Sequence, residues 1–417
     1  MTSATGTVTN ASVNRRSRQL DFLRGIAILL VLIIHIHLEI PDMLILGPLI
    51  ESLHRIGWVG VDLFFALSGF LVGGLLITEL STYGTIDPKR FLVRRGLKIY
   101  PVYYLFFAYL FFMPMLKAAV AGEQLGSVFS ELWLKYWPNL LFLNGYIGGN
   151  PIGHTWSLAI EEHFYLLLPF FLLFFSRWLS IKMITGLCAA ILVPVVAYRF
   201  YVVYGSQVKI EIMRETHFQI DALFAGVAIR GLAESWPKIF SQLGRYRYLL
   251  ILIGSFSFFC IPYLSRDEKF TWGYLITTIA SAVVLIGTYQ MKITDVPAMF
   301  RRSAGKIVSL LCWVGTYSYA TYIWHVTFYR IMERQVENVL GYEKSGPYAM
   351  LLWIAYSVGI ATLSVLISAL ISRLVEIPIL KFRDRFFPSR STSIPQITEG
   401  QGAQKKSVED VTELNSN

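Results

Sequence analysis

The chain has 417 residues and a formal net charge of +10, with 55% apolar residues, 15% charged residues and a mean hydropathy of +0.53. Hydrophobic runs recur from residue 19 to residue 376, which excludes a water-soluble globular domain and predicts a polytopic membrane protein. The basic excess does not point to nucleic acid, because Lys and Arg interrupt apolar spans instead of forming an aromatic-interleaved patch on a soluble domain.

Residues 1–18 are polar and become basic towards their end. The apolar run that follows carries Asp21 and Arg24 and lacks a small-residue cleavage site, so it is expected to be an uncleaved first span and not a secretory signal. Runs of roughly 15 to 28 apolar residues predict an all-α bundle of about ten transmembrane helices. These fall at 19–38, 60–78, 99–117, 158–176, 183–204, 218–232, 248–264, 272–290, 307–329 and 348–375. The membrane domain is expected to cover 19–387. Residues 388–417, rich in Ser, Thr, Gln and Glu with few large apolar side chains, read as a disordered tail. Cys188, Cys260 and Cys312 all lie in apolar runs without metal-ligand spacing and are read as packing residues.

With a cytosolic N-terminus, the loops on that side carry Arg15, Arg16, Arg18, the run Lys89 to Lys98, Arg177, Lys182, Arg301, Arg302 and the stretch Lys381–Arg385. The opposite loops carry far fewer cations, which is the positive-inside asymmetry and sets both termini in the cytosol. The Gly69-x-x-x-Gly73-Gly74 spacing in the second span predicts a tight helix–helix contact. Aromatic residues cluster at span ends, as interfacial anchors do.

Arg24 and His35 are eleven residues apart in the first span, about three helical turns, so they share one face and lie roughly 16 Å apart along the axis. Ionisable residues at membrane depth are functional candidates. His35, Asp62, Glu161, Asp221 and His325 all fall in the outer half under this topology. A histidine with carboxylates nearby is what general acid–base catalysis needs. The competing reading is interfacial snorkelling or single helix-packing hydrogen bonds. His35 and His37 face different ways and no HExxH occurs, so no metal site is expected. On the cytosolic side, Lys89, Arg90, Arg94, Arg95 and Lys98 precede the third span. Such a run is commonly a topogenic anchor; with Arg24 it also suits a phosphate-binding rim for a donor entering from the cytosol.

Four stretches together resemble the membrane acyltransferase 3 family, which includes O-antigen, exopolysaccharide and Nod-factor acylating enzymes. They are Leu20-Asp21-Phe22-Leu23-Arg24-Gly25 through His35, Gly57 through Phe70, Arg94-Arg95 through Tyr100-Pro101, and Thr155-Trp156-Ser157-Leu158-Ala159-Ile160-Glu161-Glu162 through Tyr165. Weaker echoes occur at Asp221-Ala222-Leu223, Gly315 through Tyr319 with Trp324-His325, and Glu376-Ile377-Pro378. The resemblance implies transfer of an acyl group, acetyl by the family's habit, from cytosolic acyl-CoA to a sugar hydroxyl on the outer side of the cell's inner membrane. No cofactor is expected beyond that donor. The partners it implies are acyl-CoA, a glycan or glycoside acceptor and membrane lipid. It carries functional roles to Arg24, His35, Ser157 and Glu161. The family's Arg-x-x-Arg element falls on Arg95 and Lys98, where lysine lacks the bidentate phosphate grip of arginine. Some members carry an extra span and a fused C-terminal esterase-like domain, not expected here.

In this reading His35 is the base, Glu161 or Asp62 orients its imidazole, and Ser157, four residues before Glu161, positions the acceptor or the carboxylate. Direct transfer is preferred over an acyl-serine, and the donor's pantetheine arm is expected to lie along the first span between Arg24 and His35. The rival reading is a transporter or flippase for a lipid-linked sugar or acyl donor, with the histidines and carboxylates as a proton relay; a structural subunit is a third.

Overall fold

A computed structural model describes residues 17–41, 46–147, 152–206, 214–291, 298–340 and 348–390. The N-terminal segment up to residue 16 and the tail from residue 391, both assigned above from composition, lie outside the described residues. In chain order the helices are α1 (Arg18–Ile34), α2 (Leu46–Ile56), α3 (Val59–Tyr83), α4 (Pro88–Ala121), α5 (Leu125–Leu140) and α6 (Trp156–Phe175). There follow α7 (Ile181–Ala190), α8 (Leu192–Phe200), α9 (Thr216–Ser235), α10 (Pro237–Arg245), α11 (Arg247–Cys260), the single turn α12 (Arg266–Glu268) and α13 (Tyr274–Tyr289). The last four are α14 (Ala298–Thr316), α15 (Ser318–Leu340), α16 (Ala349–Ile371) and α17 (Ile377–Phe386). Every regular element among the described residues is helical.

Helix ends follow local chemistry. The Asp87 carboxylate accepts from the Arg90 N–H at 3.1 Å and Pro88 occupies the first turn, which starts α4 just ahead of its basic run. Gly84 and Gly122 close α3 and α4 at φ of +68° and +71°, a conformation glycine adopts without a Cβ clash.

Six helical segments are long and apolar enough to cross a membrane: Gly47–Tyr83, Pro88–Ala121, Gly153–Phe175, Ile181–Gly205, Arg266–Tyr289 and Ala349–Phe386. A seventh results if α10 and α11, bent by 76°, count as one span. The expected ten is not reached. The span at 19–38 forms a helix of only 17 residues carrying Asp21 and Arg24, and that at 218–232 carries Asp221 and Arg230. The one at 307–329 is broken at Tyr317, between α14 and α15. All three breaches involve polar or irregular chain; α1, α9 and α15 pack largely inside the bundle, where such features are tolerated, whereas α14 exposes Met299, Ile307 and Leu310. Large apolar side chains cover the outside instead, including Phe112 on α4, Phe170 and Phe174 on α6, and Leu351, Val358 and Leu370 on α16. This is the inverted exterior of a multi-pass membrane protein.

Close backbone approach sets the interior. A Cβ on Gly69 of α3 would sit 1.8 Å from the Leu223 carbonyl oxygen of α9, and one on Gly226 would sit 2.2 Å from that of Ala66. The glycine spacing of the second span is thus a contact with α9. A second pair joins α1 to α14, where a Cβ on Gly25 would meet the Leu311 carbonyl at 2.2 Å and one on Gly315 the Asp21 carbonyl at 1.9 Å. Helices this close gain van der Waals contact that lipid cannot replace.

Gly69→Ala and Gly315→Ala are therefore expected to destabilise the protein by about 1–3 kcal/mol through overpacking. Gly359→Ala on α16, with nothing within 4 Å of the new Cβ, should be neutral or gain up to about 1 kcal/mol of helix propensity. Thermal unfolding in one detergent measures all three.

Candidate active site

The spacing of α1 against α14 leaves a cavity of about 590 Å³ walled by α1, α3, α4, α6, α17 and the α14–α15 break. One end carries Ser17, Arg95, Lys98 and Arg383, the other Val61, Phe64, Ser157 and Tyr322; Arg24 and Glu161 lie on the wall between. Arg24, Arg95, Lys98, Ser157 and Glu161, far apart in sequence, thus share one space. A second cavity of about 480 Å³ meets the first at Ser17, Leu20, Leu71, Arg95 and Arg383 and adds Arg94 and Arg230.

Most of these cations are already paired. Arg24 bonds Asp21 at 3.1 Å, Arg94 bonds Asp384 at 3.0 Å and the Phe387 carbonyl, and Arg230 bonds Glu234 at 3.0 Å. Lys98 reaches Glu376, which a π turn at Ser372–Glu376 brings inward and the Ser372 hydroxyl holds at 2.5 Å. Arg95 differs. Its guanidinium lies over the rings of Phe91 and Tyr165, at 5.6 and 5.9 Å, and has no carboxylate partner among the described residues. It lines both cavities, so it is the cation best placed to meet an incoming anion.

Deeper in, hydroxyl chains organise the polar groups. The Tyr165 hydroxyl donates to Glu161 at 2.9 Å and so accepts from the Ser68 hydroxyl at 2.5 Å. The Tyr322 hydroxyl donates to the His154 carbonyl at 2.5 Å, so the Ser157 hydroxyl, also 2.5 Å away, donates to the Tyr322 oxygen. Ser157 is thus hydrogen-bonded to a phenol and not to a base.

Behind Tyr322 stands a group of imidazoles. His35 and His325 are edge-to-face with centroids 4.6 Å apart, and His154 and His325 are 5.2 Å apart. Each ring has one nitrogen against a main-chain carbonyl: His35 Nδ1 to Val31 at 2.8 Å, His154 Nε2 to Ile323 at 3.1 Å, and His325 Nδ1 to Tyr322 at 2.8 Å. A carbonyl only accepts, so those nitrogens carry the protons and the others keep their lone pairs.

Three expectations are corrected. First, neither Glu161 nor Asp62 orients His35; its partners are Val31, His37 and His325, and Glu161 is engaged by Tyr165. Second, Asp62 lies away from the cavity. Successive helical residues point about 100° apart, so while Val61 and Phe64 face the cavity, Asp62 turns towards α9 and α13. There it sits beside Thr277, in the field of Asp221 and Arg199. Arg199 and Asp221 form a fully buried pair at 2.5 Å, joined to Thr278 at 3.2 Å. Third, no channel follows α1 from Arg24 to His35, because Ala27, Ile28, Val31 and Leu32 are packed at 0–1% exposure. Beyond Arg24 the cavity is carried by α3 and α6. Arg94 lies in the second cavity only. The sequence reading does not include His154: it lies in a 3₁₀ turn, Gly153–Thr155, that leads into α6, and its only signal is its place directly before the Thr155-Trp156-Ser157 stretch.

A family profile described as an acyltransferase domain, that of acyltransferase 3, matches residues 17–373. The chain belongs to that family. It is 28% identical over 330 residues to a peptidoglycan O-acetyltransferase of Listeria monocytogenes, covering 73% of this chain and 48% of the relative. A Bacillus subtilis protein provisionally named a peptidoglycan O-acetyltransferase is 26% identical over 336 residues, covering 73% and 47%. A Staphylococcus aureus protein provisionally named an O-acetyltransferase is 26% identical over 408 residues, covering 90% and 59%. The chain thus spans about half the length of the first two relatives. No solved structure matches it. The matched family region includes every element that lines the main cavity except α17.

Tyr322→Phe should cost about 1–3 kcal/mol, because the Ser157 hydroxyl and the His154 carbonyl would lose a buried partner. Tyr348→Phe, at a residue 69% exposed, should change stability by less than about 0.5 kcal/mol. Thermal unfolding of the two variants side by side checks the difference.

Proposed function

We propose that the protein is an integral membrane O-acyltransferase that moves an acyl group, acetyl in the first instance, from cytosolic acyl-CoA to a sugar hydroxyl of a cell-surface or exported glycan. The carrying observation is a cavity with a cationic rim whose deep end, at Ser157 and Tyr322, is backed by His325, the ring against which His35 packs. The names of the relatives make peptidoglycan the first acceptor to test.

Arg95 takes the first phosphate of the donor, since no carboxylate has to be displaced from it. Arg24, Arg94 and Lys98 contribute positive potential and exchange partners as the donor's phosphates arrive. The apolar α3 wall at Phe64, Phe65, Leu67 and Leu71 accommodates the pantetheine arm. The thioester then lies at the Ser157–Tyr322 end. His35, with Nδ1 donating to Val31, has Nε2 free to take the proton of the acceptor hydroxyl. The acceptor oxygen forms the new C–O bond, the C–S bond breaks, and the proton returns to the departing thiolate to give the coenzyme thiol.

Ser157 serves as a positioning group, because a hydroxyl that donates to Tyr322 without a base beside it is a poor nucleophile; this supports direct transfer. Glu161, held by Tyr165, fixes the wall beneath the thioester. Asp62 acts through the α3–α9–α13 packing and not at the reacting atoms. For the rival transport reading, the 76° bend between α10 and α11 is a broken helix, but none of the residues of either helix lines either cavity, which favours chemistry.

Surface-glycan mass analysis tests the reaction. Wild type should restore ester-linked acyl groups to a strain lacking its native copy and His35→Ala should not, with the mass difference naming the acyl group. Equal acylation in both overturns the role of His35, and its absence in both overturns the acceptor class.

The donor site has its own test. Arg95→Ala should weaken coenzyme A binding by about 10- to 100-fold, the loss expected for a charged hydrogen bond of about 1.5–3 kcal/mol. Glu376→Gln, which releases Lys98, should leave binding unchanged or tighter. Calorimetry on the full chain in detergent measures both.

A further inference from the structure

We infer that His35, His154 and His325 form a cluster that holds one proton in common, with His154 and His325 as positioning residues for the proton that His35 removes. This rests on the acyl-transfer reading for the origin of that proton, and on the geometry of the cluster for its fate.

Two buried atoms carry the argument. His325 Nε2 and His154 Nδ1 have no hydrogen-bond partner among the described residues. Both residues are nearly or wholly buried, at 0% and 6% exposure. Leaving a buried acceptor unmatched costs about 1–3 kcal/mol, and such groups in a native interior require an explanation. The lone pairs are not arranged for a metal: among the described residues no group of three His, Cys, Asp or Glu side chains is disposed to hold one. Nor can they bond one another while all three rings are neutral, because each ring's only N–H is given to a carbonyl.

One added proton resolves the mismatch. When His35 Nε2 takes the acceptor's proton, it becomes a donor beside rings that offer only lone pairs. The site is thereby preorganised for the charge that develops during transfer, and not for the resting state. A second proton is opposed. The other charged or titratable groups facing the cluster are the Tyr322 and Tyr329 phenols, packed on His154 and His325, His37 and His54 near His35, and Arg330, which acts on both His35 and His154. None is a carboxylate; the phenols carry no charge near neutral pH, and the other groups are basic and repel a further positive charge. The cluster therefore carries a single proton from the acceptor oxygen and gives the same proton back to the thiolate. No other reactant is required.

The test is nitrogen NMR of the full chain, labelled with 15N-histidine and placed in lipid nanodiscs. The seven histidines are assigned by single His→Gln variants. Between about pH 8 and about pH 5, the three rings should together take up one proton, with the His35 and His325 resonances moving at one midpoint. His325→Phe, which removes the lone pair, should lower the His35 midpoint by about one pH unit, a tenfold loss of proton affinity. His325→Gln, whose amide oxygen can accept, should restore at least half of that shift. A role in packing alone would show the same His35 midpoint in all three proteins. Uptake of three independent protons by the wild type, or an unmoved midpoint in a folded His325→Phe protein, overturns the proposal. If that variant does not fold, the wild-type proton count decides. Acyl transfer measured on the same samples separates the two readings. Shared titration without transfer counts against the reaction, and transfer with independent titration counts against the cluster.

Discussion

The approach of α1 to α14 through Gly25 and Gly315 is the contact on which the site depends. It brings the first turns of α1, with Asp21 and Arg24, against the chain just before the break at Tyr317, so that Gly315, Thr316, Ser318 and Tyr319 can face the same space. A side chain at either glycine would force the helices apart and open that space to lipid. The second glycine contact, α3 against α9, fixes the opposite wall, because Ser68 and Phe65 flank the residues pressed against Leu223 and Gly226. Helix packing by small residues is here a way of placing polar groups, since the irregular chain at Tyr317 survives in an apolar bundle only by facing a cavity.

Charge is handled differently at the two ends. At the rim, cations are balanced by carboxylates from other elements, as with Arg94 and Asp384 or Lys98 and Glu376. The Arg94–Asp384 pair, with Asp384 52% exposed, exchanges partners at little cost, because an exposed ion pair contributes at most about 1 kcal/mol; in the Lys98 pair the Glu376 side chain is only 4% exposed, so that carboxylate holds its lysine more firmly. Arg95 is held by rings, which cushion a guanidinium without neutralising it. The deep end contains neutral imidazoles and hydroxyl chains. In the proposed reaction a negatively charged donor would be met by charge that can rearrange, and the reacting atoms would lie among fixed dipoles.

Much of this was legible in the sequence, and the parts that were not have a common cause. The membrane class, the all-helical bundle and the family could be read because long apolar runs and four motifs survive without knowledge of contacts. Arg24, Arg95, Lys98, Ser157 and Glu161 could be grouped because each lies in such a motif. Helical periodicity gives the direction of a side chain relative to its own helix but not which neighbour lies there. That is why Asp62, one residue from a cavity-lining valine, was placed beside His35 when it belongs with Arg199 and Asp221. The same gap hid the closure of the α1 face beyond Arg24, which depends on how α3 and α15 pack over Ala27 and Val31. The count of ten spans is not confirmed where polar residues or a broken helix interrupt the apolar run, because hydropathy alone cannot distinguish lipid from protein as the surrounding medium. His154 precedes the expected span at 158–176, where periodicity says nothing.

The buried Arg199–Asp221 pair bears on why the imidazoles stay apart from carboxylates. Both members are about 1% exposed and the pair is joined to Thr278, with Asp62 in the same field. Withdrawing two charges from water costs several kcal/mol per ion, and the attraction between them returns that only with good geometry and added hydrogen bonds. Placing Asp62 and Asp221 near one arginine gives Asp221 its ion-pair partner, although one Asp62 oxygen stays without a hydrogen bond among the described residues, and it keeps both carboxylates off the histidines. A carboxylate beside His35 would hold it as a cation and remove the lone pair that a base requires. Separation of the two buried polar clusters, one ionic and one neutral, is therefore part of what leaves His35 able to accept a proton.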